Sequence, residues 1–381
     1  LINMKMAIFT DTFYPDINGV ARTLKRLTDY LHKQNISFKV FAPRSTGNEY
    51  VSENIHRFEG LSFFLYPECR LALPKPKQIK NELQAFSPDL IHVATPFNMG
   101  LCGVYYAKKL NIPLVGSFHT DFEQYLSYYE LPFLSKFIWK YMNWFHQPFE
   151  KLFVPSQDTY EKLSRQQFRN LEIWPRGVDC QHFHPNYSQR TVREKYQISK
   201  RYILTYVGRL APEKDLMTLM SIAKGIPEDL HQHIQWIVAG DGPLRKELES
   251  EAPENVIFTG YLSGVQLAEI YSVSDIFVFP SPTETFGNVV LEALASGTPV
   301  IGSNSGGVKN IIVEGVNGIL CQPGSVEQFI HAIVHLLSHD RERWQMAMEG
   351  RKYALSQRWD NIFEHLILQY AAIINKNKKY A

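Results

Sequence analysis

Twice along the chain, short apolar runs alternate with stretches of helical period, and the second series begins afresh where the first stops. The first reads KMAIFT, then GVARTLKRLTDYLHKQ, with apolar residues three and four apart, then FKVFAP, PDLIHVA, IPLVGSF and KLFVPS. The second opens near residue 200 with YILTYVG and continues through IQWIVAG, VIFTG, DIFVFP, TPVIGS and GILCQP. Runs so short and apolar suit strands covered on both faces, and the helical stretches between them supply the crossovers that parallel pairing requires. The expected class is therefore α/β, with two doubly wound, Rossmann-like sheets. The 381 residues exceed the roughly 250–300 at which one core stops growing. The Pro-, His- and Asn-rich EIWPRGVDCQHFHPNYSQRTVREKY is the expected linker, near residues 180–198. Ligands of such sheets bind beyond the carboxyl ends of the strands, so two facing sheets would place the site in the cleft between them.

Composition narrows the function classes. Lys and Arg number 40 against 38 Asp and Glu, which gives no reason to expect a nucleic-acid partner. The four cysteines, Cys69, Cys102, Cys180 and Cys321, are far apart and show no metal-ligand spacing with histidine, so they read as reduced and structural. No apolar run reaches the ~18 residues of a membrane span. LINMKMAIF lacks the charged-then-apolar layout of a signal peptide. The expected location is cytoplasmic, at most on a membrane surface.

After the strand-like LTYVG, RLAPEKD puts Arg209 and Lys214 in the loop before a helix. Two cations near helix amides suit a diphosphate. There is neither G-x-x-x-x-G-K-[ST] nor G-x-G-x-x-G, which disfavours kinases, ATPases and nicotinamide dehydrogenases. In TETFGNVVLEALASG, Thr283 or Thr285 could cap a helix from about Phe286 to Ala295, with Glu284 at its mouth and Glu292 deeper in an apolar run. Eight residues of helix rise about 12 Å, comparable to the distance between the sugar and the ribose of a nucleotide-sugar. Carboxylates suit the vicinal hydroxyls that both offer. With no D-x-D in the chain, the usual carboxylate clamp for a metal on a nucleotide diphosphate is missing. Asn18-Gly19 lies between a strand and a helix, where a residue without a side chain lets backbone approach a ligand. GSFHTDF ends another strand of the same half with His119.

Together these residues resemble the family-four retaining glycosyltransferases of the GT-B fold. Glu284-TFGNVVL-Glu292 matches their E-x7-E motif, and VGR-LAPEKD, VAGDGP and FTGYL precede it in the usual order. FTDTFYPDINGVARTL, GSFHTDFEQYL and WPRGVD look most like the branch of bacterial lipid-linked mannosyl- and glucosyltransferases and the plant sulfoquinovosyl enzyme. The resemblance implies an acceptor domain over 1–183, a donor domain over 184–358 and a C-terminal helix, 359–381, returning to the first. It implies Glu292 on the ribose, Glu284 on the donor hexose, and Arg209 and Lys214 on the diphosphate. Amides of Thr285, Phe286 and Gly287 would hold phosphates and sugar, and Gly19 would approach the diphosphate from the other domain. His119 would stand beside the anomeric carbon, through its carbonyl or its imidazole. The base would lie near Gly240, Tyr261 and Leu262, with Tyr14, Asn18 and Asp121 on the acceptor side.

The implied reaction retains the anomeric configuration by a front-face route that needs no enzymic nucleophile, no metal and no cofactor. Asp121 is the nearest alternative nucleophile. The donor would be a nucleoside-diphosphate sugar, GDP-mannose ahead of UDP-glucose, and the acceptor a lipid or lipid-linked glycan. Residues 122–153 are rich in Phe, Tyr and Trp and carry Lys136, Lys140 and Lys151; ALPKPKQIKNEL adds Lys75, Lys77 and Lys80. That pattern suits an anionic membrane interface, or for the aromatics a buried helix pair. Competing readings are an exopolysaccharide or wall-polymer transferase using a UDP-sugar and a soluble or undecaprenyl-linked acceptor, a GT-B-type epimerase or phosphorylase, and a non-catalytic nucleotide-sugar binding module.

Overall fold

The computed structural model describes residues 4–16, 18–45, 52–62, 70–119, 135–284 and 286–380. The chain divides into two compact units: Leu1–Pro175 with Ile362–Ala381, and Arg176–Asn361.

In the first unit, β1 (Lys5–Phe9), β2 (Ser37–Pro43) and β3 (Ile55–Phe58) run outward to one side of a parallel sheet. A short antiparallel pair, β4 (Gly60–Ser62) and β5 (Arg70–Ala72), stands apart from it. The chain then crosses back to β6 (Leu90–Val93), β7 (Leu114–Ser117), β8 (Lys151–Val154) and β9 (Leu171–Ile173), giving the order β3-β2-β1-β6-β7-β8-β9. The winding reverses between β1 and β6, where Ile8 is in register with His92. β6 and β7 are buried at every position, as strands covered on both faces are, with His92 and Ser117 the polar members.

The second unit repeats the plan. Its strands are β10 (Tyr202–Val207), β11 (Ile234–Ala239), β12 (Val256–Gly260), β13 (Ile276–Phe279), β14 (Val300–Ser303) and β15 (Gly318–Cys321). They lie parallel in the order β12-β11-β10-β13-β14-β15, which puts the reversal between β10 and β13. Trp236, Tyr206, Tyr271, Phe277 and Phe279 fill its core.

Three local expectations need correction. Residues 180–198 are no free linker: Phe183, Val192 and Ile198 are buried in the second unit, and the short helix Gln189–Lys195 packs there. The break falls earlier, between Pro175 and Arg176. The helix around Glu292 spans Asn288–Ala295 and does not start at Phe286, because Gly287 at its N-cap takes φ 93°, a left-handed turn that ends the preceding loop. Thr283 does not cap it either; its hydroxyl donates to the Glu213 carbonyl at 2.6 Å. Thr285 lies outside the described residues.

The C-terminal helix, Trp359–Tyr380, joins the first unit from Ile362 onward. It buries Phe363, Leu366, Ile367, Tyr370, Ile373 and Ile374, one face at helical spacing. Asn377 Nδ2 donates to both carboxylate oxygens of Glu150, at 2.9 and 3.0 Å.

Candidate active site

In open parallel sheets the loops on either side of the winding reversal splay apart, and the crevice at the carboxyl ends receives the ligand. In the second unit those loops follow β10 and β13, and they carry most of the singled-out residues. Arg209 follows β10 and is exposed; its guanidinium makes no ion pair or hydrogen bond among the described residues. Lys214 ends a single 3-10 turn, Pro212–Lys214, and its Nζ lies 2.7 Å from Glu284 Oε2 in the β13 loop. Both side chains are mostly covered, at 17% and 22% exposure. The Thr283–Glu213 hydrogen bond joins the same two loops. From the loop after β14, Gly307 N donates to the Glu284 carbonyl at 2.6 Å and Ser305 Oγ to the Pro282 carbonyl at 2.7 Å. Glu284, itself in the β13 loop, is thus held by the loops after β10 and β14, and it precedes the helix by several residues, so only the last turn of the Glu284–Glu292 spacing is helical.

Glu292 projects half-buried from the Asn288–Ala295 helix, where its Oε2 accepts from the Tyr271 hydroxyl at 3.2 Å. Burial, followed by the Glu292 charge, raises the Tyr271 phenol well above its ordinary range, so the phenol stays a donor. Phe286 packs half-buried against the core. Gly240 follows β11 with φ 150°, and a Cβ there would fall 1.8 Å from the Gly208 carbonyl oxygen, so the loops after β10 and β11 can touch only because it is glycine. Tyr261, after β12, is 71% exposed, whereas Leu262 packs against the core. Arg209, Lys214, Gly240, Tyr261, Glu284 and, one helix turn on, Glu292 therefore share one sheet edge.

The first unit presents its own carboxyl edge. Asp11, following β1, is fully buried and accepts from Thr95 Oγ1 at 2.7 Å and from Met99 N at 2.9 Å, tying the β1 loop to the helix Asn98–Leu110. Burial outweighs these hydrogen bonds and pushes its pKa up to about 6. Asn18 is buried, and its side chain caps the helix Gly19–Lys33, accepting from Ala21 N at 2.8 Å while donating to Thr12 Oγ1 at 2.7 Å. Open space surrounds the Gly19 Cα where a side chain would stand. Tyr14 is 42% exposed, with Lys25 Nζ 5.6 Å from its ring centroid. His119 follows β7, half-buried, its Nε2 2.7 Å from Ser117 Oγ and its ring edge-on to Trp174 at 5.7 Å. Asp121 lies outside the described residues, as do 122–134 of the aromatic segment.

Sequence reasoning missed Tyr271, the Ser305 and Gly307 contacts, and the polar groups behind His119. Two signals were available: the GSNSGG run directly after a strand, and a histidine inside the otherwise apolar strand of PDLIHVA.

Solved structures share this architecture. Sucrose-phosphate synthase from Thermosynechococcus elongatus superposes with a TM-score of 0.78 at 18% identity, covering 98% of this chain and 100% of that one. HepE from Anabaena, solved with UDP, gives 0.77 at 18% identity over 97% and 100%. The fold is GT-B, an α/β glycosyltransferase architecture of two Rossmann-like halves. Residues 17–182 match the model of "Glycosyltransferase Family 4" and residues 188–353 that of "Glycosyl transferases group 1". A GDP-mannose-dependent alpha-mannosyltransferase of Mycobacterium tuberculosis is 30% identical over 379 residues, 98% of each chain. An alpha-monoglucosyldiacylglycerol synthase of Streptococcus pneumoniae is 29% identical over 83% of this chain and 75% of its own. The chain belongs to the family-four glycosyltransferases.

Proposed function

We propose that the protein transfers a hexose, mannose or glucose, from a nucleoside-diphosphate sugar to a lipid or lipid-linked glycan, with GDP-mannose ahead of UDP-glucose. The observation carrying this is Glu284, fixed at the sheet reversal by the loops after β10 and β14 and paired with Lys214, with Glu292 on the helix that follows. Glu284 takes hexose hydroxyls, Glu292 the ribose, and Arg209, Lys214 and the amides of Thr285, Phe286 and Gly287 the diphosphate. The names of the relatives favour this donor and acceptor: the mycobacterial one is GDP-mannose-dependent and the streptococcal one makes a glucosylated diacylglycerol.

Transfer proceeds with retention and without a metal. The sequence contains no D-x-D to clamp a cation on the diphosphate, so cations and amides meet its charge. The leaving phosphate oxygen takes the acceptor hydroxyl's proton as the new glycosidic bond forms on the same face, and His119 stands beside the anomeric carbon.

Membrane attachment fits the described part of the aromatic segment. The helix Ser135–His146 turns Met142 and Phe145 into the core, while Phe137 and Trp144 are 72% and 60% exposed, with Lys136 and Lys140 exposed beside them. Spacings of three, four and seven residues gather these four on one side of the helix, rings at headgroup depth and ammonium groups on anionic lipid. Among the described residues no helix is long and apolar enough to cross a membrane; the proposed attachment is peripheral, on the cytoplasmic face.

A thermal-shift series over UDP-, GDP- and ADP-sugars, with and without EDTA, tests the donor. At a hundred times its Kd a ligand stabilises by about 2.7 kcal/mol. GDP-mannose is expected to raise Tm most, equally in EDTA. A nucleotide-sugar shift that appears only with added divalent cation would overturn metal independence.

A further inference from the structure

Behind His119 runs a buried line of side chains drawn from three elements of the first unit. Tyr370 Oη, on the C-terminal helix, is 2.6 Å from His92 Nδ1 on β6; His92 Nε2 is 2.8 Å from Ser117 Oγ on β7; and Ser117 Oγ is 2.7 Å from His119 Nε2. His92 and Tyr370 are wholly buried and Ser117 nearly so.

Each link needs one proton, and the protons can be counted. A neutral imidazole carries one N–H, and each hydroxyl has one O–H. Burial holds His92 far below its ordinary value, to about 3, and raises the Tyr370 phenol well above its own, so both are neutral. The two imidazoles cannot both donate to Ser117 Oγ at once without stranding its own proton, since among the described residues that hydroxyl has no other partner, so two directions are open. In one, Tyr370 donates to His92 Nδ1, His92 Nε2–H to Ser117, and Ser117 to His119 Nε2. In the other all three bonds reverse, His119 Nε2–H donates to Ser117, and the Tyr370 proton must find another acceptor. Among the described residues Tyr370 has no hydrogen bond except that to His92. The second direction therefore strands a hydroxyl proton in an apolar core, which is costly.

We propose that Tyr370, His92 and Ser117 form a one-way hydrogen-bond chain that fixes His119 as a neutral imidazole with its proton on Nδ1. The three are positioning residues, and through Tyr370 the C-terminal helix sets the state of the site histidine. A second proton on His119 would have to enter at Nε2, where Ser117 already donates. The locked ring carries no full positive charge to set beside developing oxocarbenium charge. This role in catalysis rests on the reading that His119 stands at the anomeric carbon; the tautomer itself does not.

Long-range proton–nitrogen NMR on protein labelled with nitrogen-15 in its histidine rings reads the tautomer directly. The wild type is expected to show His119 protonated at Nδ1 and bare at Nε2. Ser117→Ala should convert it to a mixture and lower kcat about tenfold, the scale of one hydrogen bond, with donor KM little changed. Ser117→Thr should restore both signals, which a general loss of packing would not do. A wild-type ring protonated at Nε2, or a tautomer unmoved by Ser117→Ala, would overturn the proposal. His119→Ala separates the two claims: full turnover in that variant would remove His119 from the reaction, while the NMR result decides the chain independently.

Discussion

Lys214 Nζ stands 2.7 Å from Glu284 Oε2, an ion pair between the loops that follow the two strands at which the second sheet reverses its winding. The pair brings together the group assigned to the diphosphate and the group assigned to the sugar. In Lys214→Ala the cation is lost and the Glu284 carboxylate is freed to face the phosphates. Loss of a preorganised donor at developing charge costs about 10²–10³ in kcat, and that drop is expected from steady-state kinetics. Glu284→Gln, which keeps the shape, should lower kcat with little change in donor KM. Equal kinetics in both variants and wild type would dismiss the pair from the reaction.

Glu292 and Tyr271 call for a different signature. A carboxylate on the ribose binds ground and transition states alike, so Glu292→Ala should raise KM for every nucleotide-sugar about tenfold to a hundredfold while sparing kcat. Tyr271→Phe removes the donor that orients the carboxylate and should show the same pattern more weakly. Calorimetry with the free nucleoside diphosphate provides the check, since the loss should persist without the sugar.

Two imidazoles give stability a pH dependence of known sign. Burial holds His92 to about 3 and His146 to about 4, both below the ordinary 6.5. The unfolded chain therefore binds more protons between these limits, so their contribution is complete above pH 6.5 and is lost as pH falls, by up to about 1.4 kcal/mol per pH unit for each ring. Asp11, raised to about 6, acts in the opposite sense, its contribution growing as pH falls from 6 toward 3.8. Urea unfolding should show lower stability at pH 5 than at pH 7. His146→Phe, which replaces a ring whose hydrogen bond among the described residues is to the Met142 carbonyl, should flatten the decline by about 1 kcal/mol per unit. Parallel curves for the two proteins would contradict the assignment.

Flotation with anionic liposomes addresses the exposed side of the Ser135–His146 helix. The wild type should float at low salt and less so at high salt, because polybasic attraction is screened. Lys136→Glu with Lys140→Glu should abolish flotation without affecting transfer to a detergent-solubilised acceptor. Absence of wild-type binding at low salt would remove the membrane from the account.

The parts of the structure legible in the sequence were those written in local pattern. The restart of apolar runs near residue 200 marks the second sheet, and RLAPEKD and Glu284 fall after β10 and β13, at its carboxyl edge. The misread features depended on who met whom. Residues 180–198 have a linker's composition, yet Phe183, Val192 and Ile198 are absorbed into the second unit. Thr283 resembled a cap until the Glu213 carbonyl claimed its hydroxyl. The line from Tyr370 to His119 joins residues that meet only because β6 pairs with β7 and the C-terminal helix returns to the same unit. No spacing rule carries that information.

The most direct test is transfer itself. Purified protein is incubated with GDP-mannose or UDP-glucose radiolabelled in the sugar, lipid extract and EDTA, and the label is followed into the organic phase. Labelled lipid is expected from one of these donors, GDP-mannose first, with an α-linkage retained from the donor and with the signal lost in Glu284→Gln. Label that stays with water or free sugar for both donors, or labelled lipid undiminished in Glu284→Gln, would contradict that expectation.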